Sequence, residues 1–238
     1  MTIAYPLKSN QNASEDLIFR YSLRSVEKYG TGVHRLMVIG PRRSWFSDKV
    51  EVCNLKDEPT QSKFNRVARR LVTFCDADIP FVLMNDDFIL GQDYDFTARR
   101  WYVDGTVEGK ITGTNDKTYK RFVQKTMRGL VLTGKEPSHM NHTPMLIQQP
   151  QRVSDLWREK KMYSCGAEVS FRQSAGSLLP KQSNFIERDD VKIRSPRNAA
   201  QWATIFDGDI VSLSPQCTDD VMFAELEKRF PNKSIWER

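Results

Sequence analysis

The sequence predicts an α/β protein with an open, mainly parallel mixed sheet flanked by helices, followed by a less regular C-terminal region. Strand-like and helix-like segments alternate in the order β-α-β-β-α-β before residue 95, which is typical of such sheets. An apolar run without alternation, at 81–84, indicates a strand buried on both faces. We therefore assign residues 1–95 to an α/β half and residues 96–238 to a second half of the same domain.

The elements of the first half follow from their apolar spacing and from the residues that end them. An apolar strand at 3–6 ends at proline, and Asn12 or Ser14 caps a helix that runs to about Tyr29, where Gly30 stops it. The elements that follow are strands at 33–39 and 50–53, a helix from about residue 60 to 75, and the strand at 81–84.

The second half has weaker patterns. A β-hairpin is predicted at 101–113, with Asp104 and Gly105 in its turn. A final helix is predicted at 218–230, with an apolar stripe formed by Val221, Met222, Leu226 and Phe230. The elements between them are a basic helix, a strand and a further helix, at 117–130, 145–148 and 153–160.

The charge of the chain is positive, with a net value of +6 and a pI of about 9.1. Residues 99–161 contain thirteen Lys or Arg against six Asp or Glu, which is a larger surplus than that of the whole chain. This surplus fits either a solvated basic surface or a surface for a polyanion such as nucleic acid. The charge pattern alone leaves both readings open.

The cysteine spacing and the N-terminus bear on the compartment. The four cysteines are widely spaced without a CxxC pair, so we expect buried free thiols in a reducing compartment. The first residues lack the apolar run of a signal peptide, and no stretch is long enough to span a bilayer. These observations predict a cytoplasmic protein without a membrane span.

Two adjacent carboxylates follow the buried strand at 81–84, in the sequence Asn85-Asp86-Asp87. Ligands of open α/β sheets bind at the carboxyl ends of the strands, and paired carboxylates there require a neutralising cation. Mg²⁺ or Mn²⁺ suits these oxygen ligands and leaves positions for substrate phosphates. Strand pleating would point Asn85 and Asp87 to one side, which makes Asp87 the metal ligand and Asn85 a donor-binding residue. Alternatively, the aspartates only form a turn.

Other residues are candidates for the same site. His142, or else His139, is a candidate third metal ligand because both lie beside a proline-fixed turn. Glu168 is the first candidate for a general base, ahead of Asp189 and Asp207, and Asp86 is a second catalytic carboxylate. The candidate contacts for the nucleotide lie in the loop after the first strand and on the second helix: Tyr5, Pro6, Lys8, Ser9, Lys63 and Arg66. The absence of a Walker motif and of GxGxxG argues against a P-loop enzyme and a dinucleotide dehydrogenase.

The order of these motifs resembles the nucleotide-sugar half of GT-A fold glycosyltransferases, in which a DxD-type motif closes the fourth strand and binds Mn²⁺ or Mg²⁺. Here Asn85 replaces the first Asp, so the resemblance leaves Asp87 as the metal ligand. Three further segments resemble Stealth-type sugar-phosphate transferases: the early helix at 21–29, the stretch 85–90, and the tail at 230–237. That resemblance implies a donor-site role for Arg24.

The resemblance implies a transferase that moves a glycosyl group from a nucleotide-sugar to a hydroxyl acceptor. Aromatic residues among the basic ones at 99–161 suggest DNA as acceptor, as in a phage enzyme that glycosylates hydroxymethylated bases. The alternatives are transfer of sugar-1-phosphate to a glycan, as in the Stealth family, and a non-catalytic α/β module that binds nucleic acid.

Overall fold

The computed structural model describes residues 1–9, 11–55, 63–97, 103–106, 117–135, 138–140, 144–159, 171–178 and 190–238. Its main sheet has five strands in the order β10-β5-β1-β3-β4. The strands are β1 (Thr2–Pro6), β3 (Arg35–Ile39), β4 (Val50–Cys53), β5 (Phe81–Leu83) and β10 (Met145–Ile147). The first four are parallel, and β10 pairs antiparallel with β5. The predicted open, mainly parallel mixed sheet is therefore confirmed.

A second sheet lies beyond the carboxyl end of β5. It has the order β11-β12-β6, formed by β6 (Phe88–Leu90), β11 (Asp190–Ile193) and β12 (Ile210–Leu213). Strands β11 and β12 are parallel, and β12 is antiparallel to β6. The connection from β5 to β6 is thus the point at which the chain leaves one sheet for the other.

Two short strand pairs complete the sheets of the described residues. Strand β2 (Gly30–Thr31) pairs with β7 (Tyr94–Asp95), and β8 (Val103–Thr106) pairs antiparallel with β9 (Ser138–Met140). Asp104 and Gly105 lie inside β8, so their assignment to a hairpin turn was wrong. Their polar, flexible residue types are typical of a turn, but pairing with a distant strand decides the conformation here.

Seven α-helices occur among the described residues: α1 (Ala13–Tyr29), α2 (Lys63–Cys75), α3 (Lys117–Leu132), α4 (Pro150–Arg158), α5 (Phe171–Gly176), α6 (Ala199–Ile205) and α7 (Asp220–Arg229). Of the two predicted caps, Asn12 is the one that caps α1, through a capping box with Glu15, and Gly30 ends the helix as predicted. Asp219 caps α7, in which Met222 and Leu226 are buried as expected. Val221 was wrongly placed in the apolar stripe, because it is 43% exposed.

The main sheet is covered on both faces, as expected of parallel strands. On β1, Ala4 packs with α2 and α4, whereas its neighbours Ile3 and Tyr5 pack with α1 on the opposite face. The other side of α1 packs against the second sheet together with α6 and α7, through residues such as Ile18 and Trp202. Helix α1 therefore lies between the two sheets and holds them together.

Several sequence-based boundaries shifted by a few residues. The second main-sheet strand begins at Arg35 instead of residue 33, because the chain first forms β2 at Gly30–Thr31. Strands β6, β11 and β12 and helix α6 were missed altogether. The domain boundary at residue 95 stays a prediction, although the pairing of β10 with β5 crosses it.

Cys75 and Cys217 are buried free thiols, as predicted, while Cys53 is partly exposed, and Cys165 lies outside the described residues. Burial raises the pKa of the Cys75 thiol to about 12. None of the helices in the described part of the chain is long and apolar enough to cross a bilayer.

Candidate functional site

Residues 85–88 form the turn that joins the two sheets. Strand β5 ends at Leu83, and the backbone N–H of Phe88 donates to the carbonyl of Asn85 at 3.3 Å. The premise that strand pleating points Asn85 and Asp87 to one side is therefore wrong, because these residues are not in a strand. The alternative that Asp86 and Asp87 form a turn holds for the backbone, but their side chains make further, long-range contacts.

The Asp87 carboxylate is bound by two residues of the second sheet. Its Oδ2 accepts hydrogen bonds from Lys192 Nζ at 2.6 Å and from Ser212 Oγ at 2.9 Å. Lys192 Nζ also donates to Ser212 Oγ at 2.8 Å. The side chain of Lys192 is 32% exposed and that of Asp87 is 20% exposed, so solvent reaches this ion pair.

Strand pairing places these three side chains together. Lys192 is the register partner of Ser212, and Ser212 is in turn the partner of Phe88, the residue after Asp87. The backbone N–H of Leu213 also donates to the carbonyl of Asp87 at 3.0 Å. The carboxyl ends of β11 and β12 therefore converge on the same turn as the carboxyl end of β5.

Asp86 is held by the loop that follows β1. The side-chain amide of Gln11 donates to Asp86 Oδ2. The residue is partly exposed, yet its carboxyl group is enclosed by protein. Burial first, and the negative charge of Asp87 second, raise the pKa of Asp86 to about 7, with Lys8 opposing them. A cation placed at this turn would relieve that electrostatic cost.

Arg43 fixes the loop that carries Gln11. Its Nη2 donates to Gln11 Oε1 and to the carbonyl of Lys8, each at 2.9 Å. Its Nε lies 3.3 Å from Asp16 Oδ1 on α1. Arg43 therefore helps to position Gln11 for its contact with Asp86. The sequence did not predict this role of Arg43.

Lys8 adds a positive charge at the carboxyl end of β1. Its Nζ lies 3.0 Å from Glu15 Oε1, and its side chain is 48% exposed. Burial opposes the charged form, but the hydrogen bond to Glu15 and the charges of Asp86, Glu15 and Asp87 outweigh it and raise the pKa of Lys8. The predicted site residue Lys8 is thus in electrostatic reach of both aspartates.

Two of the other predicted contacts, Tyr5 and Pro6, lie in β1 and differ from Lys8. Tyr5 is fully buried, its hydroxyl lies 3.2 Å from Ser22 Oγ, and burial raises its pKa. Pro6 is partly exposed and ends β1. Tyr5 therefore belongs to the core beneath the site, with its ring at 5.0 Å from that of Phe19.

A buried arginine lies below the same edge of the sheet. Arg70 on α2 is 3% exposed, and its Nη1 donates to the carbonyl of Leu7 at 2.5 Å and to that of Ile39 at 3.4 Å. Gly40 has a φ of +146°, and a Cβ there would lie 2.7 Å from the guanidinium. The sequence around Arg70 gave no signal that distinguished it from a solvated arginine on a helix.

Arg24 lies on the side of α1 that faces the C-terminal tail. Its Nε and Nη2 bind the two carboxylate oxygens of Glu237 at 2.9 and 3.2 Å, and its Nη1 donates to the carbonyl of Phe230 at 3.0 Å. Its carboxylate partners are Glu237 and Glu227, and neither of them lies on its own helix. Its implied donor-site role stays a prediction.

Several predicted site residues lie outside the described part of the chain or only partly within it. His142, Glu168 and Asp189 lie outside it. Lys63 and Arg66 are in α2 and His139 is in β9, but their side chains are outside the description. Asp207, the remaining candidate base, is bound by Arg229 at 2.7 Å.

The donor set at the turn suits a hard divalent ion without forming a complete cage. Within the described residues, no group of three or more His, Cys, Asp or Glu side chains could hold a metal. Mg²⁺ and Mn²⁺ sites often need only one or two protein carboxylates, because water and substrate phosphates supply the other oxygens. Asp86 and Asp87 fit that requirement.

An open concavity of about 450 Å³ lies on α6, lined by Arg197, Asn198, Ala200, Gln201, Thr204 and Ile205. None of these residues belongs to the turn or to its partners described above.

No protein-family model matches the chain, and the comparison with curated proteins found no match.

Proposed function

We propose that the chain is a metal-dependent GT-A fold transferase that moves a glycosyl group from a nucleotide-sugar to a hydroxyl acceptor. The observation that carries the proposal is the placement of Asp86 and Asp87 in the turn where the carboxyl ends of β5, β11 and β12 meet. Strand ends of parallel sheets are the usual ligand sites of α/β proteins. The enclosed Asp86, with its raised pKa, supports a site that is built to receive a cation.

Asp87 would hold Mn²⁺ or Mg²⁺, with Asp86 next to it. The bound ion would bind the diphosphate of the donor and stabilise the negative charge that develops on the leaving group. The chain's own residues give the ion a fixed place, because Gln11 positions Asp86 and Ser212 positions Asp87. His142 is the proposed additional ligand.

The positive charges around the turn suit a diphosphate. Lys8 follows β1 and Lys192 lies on β11, and both are close to the aspartates. Arg43 and Arg70 hold the loop after β1 through its carbonyl oxygens and Gln11. This loop, with Pro6, Lys8 and Ser9, is the proposed contact for ribose and base, and Asn85 hydrogen-bonds the donor at the other side.

Thermal unfolding with a panel of nucleotide-sugars, with and without Mn²⁺, tests the proposal. We expect one donor to raise the melting temperature by roughly 5–10 °C when its concentration is about a hundred times its Kd, and only with Mn²⁺ present. Asp87→Asn should abolish the shift, whereas Asp93→Asn, which changes an exposed aspartate, should preserve it. A panel in which no donor stabilises the protein would refute the proposal, and the mass of the product would distinguish glycosyl from sugar-phosphate transfer.

DNA is the proposed acceptor. On α3, Arg121 and Arg128 are exposed and Lys125 is partly exposed, and their spacing places them on one side of the helix. Such a row of cations suits the phosphates of a polyanion. If DNA binds there, the affinity for a hydroxymethylated duplex should fall steeply between about 50 and 200 mM salt. An affinity that does not depend on salt would rule this acceptor out.

A further inference from the structure

Lys192 forms an ion pair with Asp87, the carboxylate assigned above to the metal. Its ammonium lies 2.6 Å from Asp87 Oδ2 and 2.8 Å from Ser212 Oγ, while Ser212 donates to the same oxygen of Asp87. The three side chains form a closed triangle of hydrogen bonds. The ammonium therefore takes up part of the coordination capacity that a metal would need.

The position of Lys192 is set by the sheet and not by a flexible surface chain. Its residue pairs in register with Ser212, and β12 in turn pairs with β6 directly after the turn. Both partners of the ion pair are nevertheless reached by solvent, since the side chains are 32% and 20% exposed. An ion pair of this kind exchanges partners more readily than a buried one.

A lysine ammonium and a divalent cation cannot share one carboxylate oxygen without strong repulsion. The ammonium has three donors and no lone pair, so it cannot become a ligand of the metal while it remains protonated. We propose that Lys192 competes with the divalent cation for Asp87 and thereby weakens metal binding in the absence of the donor. This inference rests on the proposed function, because it assumes that Asp87 is the metal ligand.

The competition has a consequence for the order of binding. When the metal takes Asp87, the displaced ammonium needs another anion, and the diphosphate of the donor provides one within the same site. Metal and diphosphate therefore bind more tightly together than either binds alone. Lys192 thus links the loading of the metal to the presence of the donor.

Isothermal titration calorimetry, in which Mn²⁺ is added to the full chain, tests the competition directly and without an activity assay. We expect Lys192→Met and Lys192→Gln to bind Mn²⁺ roughly three- to tenfold more tightly than the unchanged protein. Lys228→Met is the matched control, since Lys228 Nζ lies 3.8 Å from Glu225 Oε2 and its side chain is 77% exposed. That variant should bind Mn²⁺ with unchanged affinity.

The outcomes separate the inference from the proposed function. If the unchanged protein and Asp87→Asn differ in Mn²⁺ affinity but the Lys192 variants match the unchanged protein or bind more weakly, the competition is refuted and the metal site stands. If neither the unchanged protein nor either Lys192 variant binds Mn²⁺, both the competition and the proposed metal site are refuted. Melting curves of Lys192→Met and Lys192→Gln verify folding, and either folded variant is sufficient for the comparison.

Discussion

Two ion pairs connect the first half of the chain to the second, and they differ in how completely they are enclosed. Arg24 binds Glu237 through two parallel hydrogen bonds, with the Glu237 side chain fully buried and Arg24 only 10% exposed. Lys192 binds Asp87 through one hydrogen bond, and both side chains are open to solvent. The buried ion pair of Arg24 and Glu237 is called the closed pair below, and the solvent-exposed ion pair of Lys192 and Asp87 is called the open pair.

The difference shows which pair stabilises the fold and which is available to a ligand. The guanidinium of Arg24 is further engaged by the carbonyl of Phe230 and lies 4.9 Å from the ring of Tyr21. A ligand would have to disrupt this whole arrangement in order to reach it. The ammonium of Lys192 has a single carboxylate partner among the described residues, in a turn that faces solvent, so a ligand can replace that partner.

Removing the closed pair should have the largest effect. Glu237→Ala leaves the Arg24 guanidinium without its main partner in a buried setting, so we expect a loss of roughly 3–5 kcal/mol in the free energy of unfolding. Urea denaturation measures this loss. Asp48→Ala, which removes a carboxylate that is 90% exposed and pairs with Arg238, should change stability by less than about 0.5 kcal/mol. Equal effects of the two substitutions would show that the tail pair is not specially stabilising.

Replacing the guanidinium of Arg24 by an ammonium tests whether the bidentate geometry of the pair with Glu237 matters in addition to its charge. Arg24→Lys keeps the positive charge but cannot bind both oxygens of Glu237 and the carbonyl of Phe230 in the same geometry. We expect a loss of about 1–3 kcal/mol, intermediate between Glu237→Ala and the unchanged protein. A substitution without effect would mean that charge, and not the bidentate geometry, secures the tail.

Removing Lys192 from its ion pair with Asp87 should change the stability much less. For Lys192→Met we expect a loss of no more than about 1 kcal/mol, because water solvates the Asp87 carboxylate that loses its partner. The same urea titration gives the value. A loss as large as that of Glu237→Ala would contradict the distinction between a structural and an exchangeable ion pair.

The smallest effect is expected for an exposed pair at the other end of the sheet, and it should depend on pH. The hydrogen bonds from Arg158 at 2.5 Å and from Ser154 lower the pKa of Asp76 below its usual 3.8. The folded state thus favours the ionised form, so the stabilisation is complete above pH 3.8 and is lost as the pH falls through the folded pKa. The side chain of Asp76 is 36% exposed and that of Arg158 is 55% exposed. Solvent screening therefore keeps the contribution of this pair to the free energy of unfolding below about 1 kcal/mol.

Asp76→Asn tests this dependence. The difference in unfolding free energy between the variant and the unchanged protein should be constant near neutral pH and should shrink below about pH 4. Chemical denaturation at a series of pH values gives this difference. A difference that grows on acidification would show that the pKa of Asp76 is raised in the folded protein.

The sequence alone determined the elements whose signals are local. A helix cap at Asn12 or Ser14, the stop at Gly30 and the apolar run before Asn85 predicted α1 and β5 in their correct order. These signals depend on hydrogen bonds and side-chain spacing within a few residues, so they can be read without knowing the fold. The turn that carries Asp86 and Asp87 was predicted only as the alternative to a strand end.

Only the tertiary structure decided which side chains surround that turn. Lys192 and Ser212 lie 105 and 125 residues after Asp87, and Glu237 lies 213 residues after Arg24. The strands that bring Lys192 and Ser212 to the turn have only four residues each, too short for a clear periodic signal. Their position follows from pairing with each other and with β6, because strand pairing and burial, and not local propensity, decide where such segments lie.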